Sequence, residues 1–185
     1  MRKIFEGDVE LRKLYLTELF DLSDVEVKGY FNCMYNHLTN LKGAPHTVGG
    51  YFDCSSNNLT SLEGSPHTVG GSFDCSDNSL TSLEGCPHTV GLGFYCQHNN
   101  LTSLKGGPHT VGYDYYCDGN NLRSLKGAPH TVGGYFNCSS NNLTSLEGIP
   151  KTVNGIFYID EVLKDKFPKE YIRSLCKIKG DVVYV

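Results

Sequence analysis

Apolar positions recur along this chain at one fixed interval. Starting from Val48, an aromatic follows after four residues, Cys after two more, Asn after three, Leu after two and Leu again after three. The same series restarts at Val69, Val90, Val111 and Val132, each 21 residues on, with no insertion or deletion. Phe52-x-Cys54 has period two, which predicts a short strand with both side chains on one face. Asn57 then ends the strand, where a buried amide can hydrogen-bond to backbone groups of its own turn and of neighbouring turns. Leu59-x-x-Leu62, Gly64 and Pro66 carry the chain round the far side and leave no room for a helix. A unit of this length has an apolar face that only its neighbours can cover, so the period predicts a solenoid.

Both ends carry weaker copies. Val27, Phe31, Cys33, Asn36, Leu38 and Leu41 form a full unit that lacks only its leading Pro. Before it, Phe5, Val9, Leu11, Leu14, Leu16 and Leu19 fit the same frame, with Leu14 in the Asn position. An amphipathic helix over Asp8–Phe20 competes, because Leu11, Tyr15 and Leu19 lie at helical spacing. Six frame positions matching at once favour the strand. Downstream, Val153, Phe157 and Ile159 open a further strand. Pro168–Cys176 reads as a helix with Tyr171, Ile172, Leu175 and Cys176 on one face, and Ile178, Val182 and Tyr184 repeat the opening frame. The expected organisation is one continuous domain: a degenerate capping repeat over 1–26, the array over 27–149, and a cap of repeat, helix and strand over 150–185. Nine strands, centred near residues 9, 31, 52, 73, 94, 115, 136, 157 and 182, should form a parallel sheet roughly 40 Å long at ~4.8 Å per strand.

Phe52-x-Cys54-x-x-Asn57-x-Leu59 resembles the second half of the leucine-rich repeat motif, L-x-x-L-x-L-x-x-N-x-L. The spacing departs at the start, where four residues separate Val48 from Phe52 and Gly49-Gly50 absorb the extra one. The short unit is similar to those of phage-encoded and bacterial leucine-rich repeat proteins. The resemblance implies a leucine-rich repeat β-solenoid with a single parallel sheet and little helix. For function it implies only a scaffold, since one fold hosts many activities.

Composition narrows the function further. The chain has 16 basic and 20 acidic residues, net charge −4, with the array acidic (eight acids and three bases over 45–149) and the C-terminal part mildly basic (five acids and seven bases over 150–185). No apolar run approaches the ~20 residues of a membrane helix, and no apolar leader follows Met1. A soluble, cytoplasmic, monomeric protein is expected, in the host cytoplasm if phage-encoded.

Eight cysteines first raise the question of disulfides. Six of them, Cys33 to Cys138, share one inward column whose spacing permits bridges. Uniform stacking, however, offers each thiol two equal partners, so reduced core thiols are expected. His46, His67, His88, His109 and His130 form a second column, open to metal or acid sensing but also explicable as turn residues copied with the repeat. Cys86 beside His88 lacks an orienting acid, and no CxxC or HxxxH spacing occurs, so neither catalysis, cofactor nor metal is expected.

Tyr, Asp, Asn and Ser dominate the outward strand positions and no Lys or Arg appears among them, which disfavours nucleic acid and fits an adaptable recognition surface. Candidate contact residues are Tyr51, Asp53, Asp74, Tyr95, Gln97, His98, Tyr113, Asp114, Tyr116, Asp118 and Tyr135. The segments Leu92–Asn99 and Tyr113–Gly119 depart most from the repeat and enlarge its aromatic area. The expected function is a non-enzymatic protein-recognition scaffold with a basic or mixed partner. A narrower alternative is a phage-encoded inhibitor that sequesters a host defence or regulatory protein.

Overall fold

The computed structural model describes residues 2–185. It is a parallel β-solenoid in which each turn places its Phe-Asp or equivalent pair directly above that of the turn before. Nine strands, from Val9–Glu10 through Phe52–Asp53 and Phe94–Tyr95 to Val182–Tyr184, form one continuous parallel ladder. The register is one whole unit: Phe31 pairs with Phe52, Phe52 with Phe73, and Phe94 with Tyr115.

The expected single sheet is joined by a second ladder, because the Val that opens each unit pairs with its neighbours too. The strands of this ladder are two-residue Thr-Val pairs such as Thr47–Val48 in the array and Lys3–Phe5, Val25–Val27 and Lys177–Ile178 toward the ends. It comprises five strands from Lys3–Phe5 to Thr89–Val90 and four from Thr110–Val111 to Lys177–Ile178. The interruption falls where Leu92 and Tyr113 replace the second glycine of the turn. At Gly50 and Gly71 a Cβ would lie 3.0 and 2.8 Å from the backbone of the preceding turn. Leu92 and Tyr113 N–H still reach the Gly71 and Leu92 carbonyls at 3.1 Å, so the corner bonds continue while the ladder stops between Thr89–Val90 and Thr110–Val111.

Side chains between the ladders stack in columns. Aromatic rings from Phe31 to Phe157 follow one another at centroid distances of 5.2 to 5.7 Å, all near parallel. The Val, Cys and two Leu columns are fully or almost fully buried. Each buried Phe contributes about 1.5–3 kcal/mol through removal of its surface from water. The six column cysteines are free thiols, and Cys54 Sγ donates to the Asp74 carbonyl of the next turn at 3.2 Å. Tyr115 replaces Phe in its column, and Gly107 leaves space for its hydroxyl.

The Asn column satisfies the backbone where the chain leaves the sheet. Asn99 Oδ1 accepts from Leu80 N–H at 2.9 Å, while its amide donates to the carbonyls of Cys75, Cys96 and Gln97. Asn57, Asn78, Asn120 and Asn141 repeat this arrangement. The residue before each Asn sits at positive φ: Tyr35, Ser56, Asp77, His98 and Ser140 at 52–54°. Gly64 and its equivalents close the far turn at φ near +90°, where a Cβ at Gly64 would lie 2.5 Å from Leu41 backbone.

The N-terminal copy is a strand-bearing turn with no helix over Asp8–Phe20, as the frame required. At the other end a short 3₁₀ helix, Glu161–Leu163, precedes the α-helix Lys169–Leu175, whose N-cap is Pro168. Only Ile172 and Cys176 of the expected apolar face are buried. Tyr171 and Leu175 stand partly exposed, because seven residues make too short a helix to bury two stripes.

Asn99→Ala should lower unfolding free energy by about 3 kcal/mol, since it strands a buried N–H and three carbonyls. Asn100→Ala, one residue on and exposed, should stay within about 0.5 kcal/mol. Urea denaturation of both variants checks the contrast.

Candidate functional site

The outward face of the nine-stranded ladder is built from two columns. One holds Tyr30, Tyr51, Ser72, Gly93, Asp114 and Tyr135, and the other Asn32, Asp53, Asp74, Tyr95, Tyr116, Asn137 and Tyr158. Three aromatic groups result. Tyr30 and Tyr51 stack at 4.6 Å, Tyr95 and Tyr116 meet edge to face at 5.5 Å, and Tyr135 meets Tyr158 edge to face at 6.2 Å.

Several outward acids serve the turn itself. Asp53 Oδ1 accepts from both the N–H and the hydroxyl of Ser55, and Asp74 does the same for Ser76, at 2.6 to 2.9 Å. Ser55, Ser76 and Ser139 are therefore buried, where alternation alone places them on the surface. Asp114 Oδ1 accepts from Tyr135 N–H at 2.7 Å and fills the space above Gly134. Burial pushes the Asp74 carboxyl up to about 6, against the lowering effect of its Ser76 hydrogen bonds.

The two divergent turns break this Asp-x-Ser device. Tyr95 and Tyr116 stand where the acceptor would be, and Gln97 and Asp118 stand in the Ser column. Gln97 Oε1 and Asp118 Oδ1 are buried without a hydrogen-bond partner, a cost of about 1–3 kcal/mol each. Tyr95 folds back over Gly93, its hydroxyl 2.5 Å from where a Cβ would be, so the Gly93 and Tyr95 changes are coupled. Leu92 and Tyr113 project at the corner between the ladders, about half exposed. At the opposite corner His98 Nδ1 lies 3.1 Å from Asp77 Oδ1, and its Nε2 3.9 Å from Asp118 Oδ2. Burial raises the Asp118 carboxyl, with His98 opposing.

Tyr95, Tyr113, Asp114 and Tyr116 thus lie together, with Gln97, His98 and Asp118 at one corner of the same pair of turns. Tyr51 belongs to the Tyr30 stack, Asp53 and Asp74 to turn structure, and Tyr135 to the Tyr158 pair. Tyr30 and Tyr158 are the two members of these groups that the candidate residues omit; Tyr30 sits one unit before Tyr51 in the same column. For Tyr158, its place two before Asp160, in the Phe157-x-Ile159 frame, is the signal that marks it.

The reverse side carries the histidine column, where His46–His67 and His67–His88 ring centroids lie 5.4 and 4.7 Å apart. Among the described residues no cluster of three or more His, Cys, Asp or Glu is arranged to hold a metal ion. Burial pushes the Cys86 thiol up to about 12, and it donates to the Gly106 carbonyl at 2.9 Å. No helix among the described residues is long and apolar enough to cross a membrane. No family model, curated protein or solved structure matches this chain.

Asp74→Asn should raise stability at pH 7.5 by ~1–3 kcal/mol, since Asn keeps the acceptor for Ser76, as Asn137 does for Ser139 at 2.8 and 3.1 Å. A carboxyl whose folded pKa lies above its unfolded value opposes folding once ionised. Its penalty grows from about pH 4 to about 6 and is full above that. The gain should therefore shrink as pH falls from 7 to 4 in parallel thermal melts.

Proposed function

We propose that this protein is a non-enzymatic recognition scaffold of the leucine-rich repeat type, binding a protein of basic or mixed charge through the patch centred on Tyr95 and Tyr116. One observation carries the reading. The two turns that depart most from the repeat bring Tyr95, Tyr113, Asp114 and Tyr116 together while giving up the side-chain hydrogen bonds that Asp53, Asp74 and Asn137 make to Ser55, Ser76 and Ser139 in the turns on either side. Local rules broken at a stability cost are expected at functional positions. Tyr offers large, stiff contact area, and the acidic groups among the rings, Asp114 foremost, give charge complementarity. Nothing in the face offers phosphate a cation, and the thiol beside the histidine column is held far from its nucleophilic form. Action in the cytoplasm belongs to the same proposal.

The double variant Tyr95→Ala/Tyr116→Ala should lose at least tenfold in partner capture, each buried aromatic anchor being worth about 2 kcal/mol. Its melting temperature should change little, because both rings lie outside the core. Quantitative pull-down at two salt concentrations reads it: capture should weaken at high salt in the wild type and vanish in the variant. An unchanged captured set in the variant overturns the reading.

A further inference from the structure

The two ends of the solenoid differ. At the C-terminal end the helix packs Ile172 and Cys176 against the last turns, and Tyr184 OH donates to the Phe167 carbonyl at 2.7 Å. Arg173 donates to the Ile178 and Gly180 carbonyls at 2.9 and 2.8 Å, so the last strand of the second ladder is already occupied. At the N-terminal end the first turn's core layer has, among the described residues, nothing above it. Ile4, Phe5 and Phe20 are 57, 47 and 63% exposed, and with Val9, Leu11 and Leu22 they rim an apolar recess of about 570 Å³. Terminal repeats need a polar outer face to remain apart in water, and this one lacks it.

The backbone of that edge identifies what covers it. Lys3 N–H bonds to Asp24, Phe5 accepts from Lys28, and Val9 and Leu11 donate to Tyr30 and Asn32, so these four residues turn inward to the second turn. By alternation Ile4 and Glu10 present their N–H and C=O groups outward, one on each ladder. They lie three residues either side of Gly7, the corner between the two strands. A two-fold axis through that corner lays Lys3–Phe5 of one copy beside Val9–Glu10 of the other, antiparallel. Ile4 then faces Glu10 of the other copy, and Glu10 faces its Ile4. Antiparallel neighbours of this kind exchange both hydrogen bonds, so one symmetry operation pairs both open edges and closes both apolar layers.

We propose that the chain forms a head-to-head dimer through its first turn, with Ile4 and Glu10 of the two copies paired and Phe5 and Phe20 covered. A head-to-tail stack is disfavoured, because Arg173 holds the outward Ile178 carbonyl that such a stack would use. Ile4, Phe5 and Phe20 together expose roughly 300 Å² of apolar side chain per copy, at 150–250 Å² for a whole aromatic. With the strands and half-buried leucines the interface reaches about 1,000 Å² in all, the lower end of specific association. The dimer revises the expectation of a monomer and carries two copies of the recognition patch.

Sedimentation equilibrium of the full chain tests it. Mass should rise from 20.4 kDa toward twice that value as concentration increases, with a dissociation constant between roughly 1 µM and 1 mM. Ile4→Pro removes only an outward N–H, which an edge strand tolerates, and should weaken association at least tenfold with an unchanged circular dichroism spectrum. Phe20→Lys should do the same without touching the strands. Added salt should tighten the dimer, since Glu6 and Asp8 of the two copies meet near the axis. A wild type monomeric throughout that range, or a dimer that survives both substitutions or loosens in salt, overturns the proposal.

Discussion

The rest of this fold depends on one buried amide per turn. Where the chain leaves the nine-stranded ladder, its peptide groups enter a dry interior and need partners there. Each Asn supplies them across two turns at once, accepting from a Leu N–H of the turn before and donating to carbonyls of its own turn and the preceding one. That bond set goes with the one-unit register of the strands and the stacking of the Phe rings, while the positive φ of the preceding residue belongs to the turn itself, since Lys13 keeps it at 59° before Leu14. Where the Asn is missing, the structure substitutes or ends. Leu14 occupies the column in the first turn, and Asn36 of the next turn serves both Leu14 and Leu16 N–H. At the far end Asp160 accepts from Ser140 and Asn141 N–H.

Because the interior is settled turn by turn, the outward residues vary without moving the scaffold. The turns bearing Tyr95 and Tyr116 exploit this freedom furthest. They trade a small polar turn for rings that meet edge to face, leave three buried oxygens unpaired (on Gln97, Tyr115 and Asp118), and open the second ladder beside them. A surface carried on strands is stiffer than one carried on loops, which suits aromatic anchors whose value depends on being held in place. The tyrosine patch and the open first turn are independent features, one made by departures from the repeat and the other by the point at which the stack begins.

Much of this was legible in residue order alone. The columns of Phe, Cys, Asn and Leu name the inward face directly, and the nine strand centres follow from arithmetic on the period. The second ladder was not, because Thr47-Val48 is too short to show alternation and resembles a turn beside Gly49-Gly50. Nor does alternation reveal that Ser55 folds under Asp53, since a side-chain hydrogen bond overrides the pleat there. The roles of Asp53 and Asp114 as turn acceptors were hidden for the same reason: an outward acid reads as a contact residue until its partner N–H is located. The coupling of Gly93 with Tyr95 depends on the ring lying back along the sheet, which no one-dimensional comparison of copies displays. For the helix, Pro168 places the start to within one residue, while spacing alone puts Tyr171 and Leu175 on the buried face and the structure leaves them exposed.

The claim that each turn rests only on its neighbours is tested most directly by excising one unit, residues 66–86, so that Ser65 joins Pro87. Every column then closes on its next member, with Phe52 above Phe94 and Asn57 above Asn99. Circular dichroism and amide hydrogen exchange should show the same sheet signature per residue, cooperative unfolding and a lower melting temperature. An unfolded or molten product, with protection lost in turns far from the join, would contradict it.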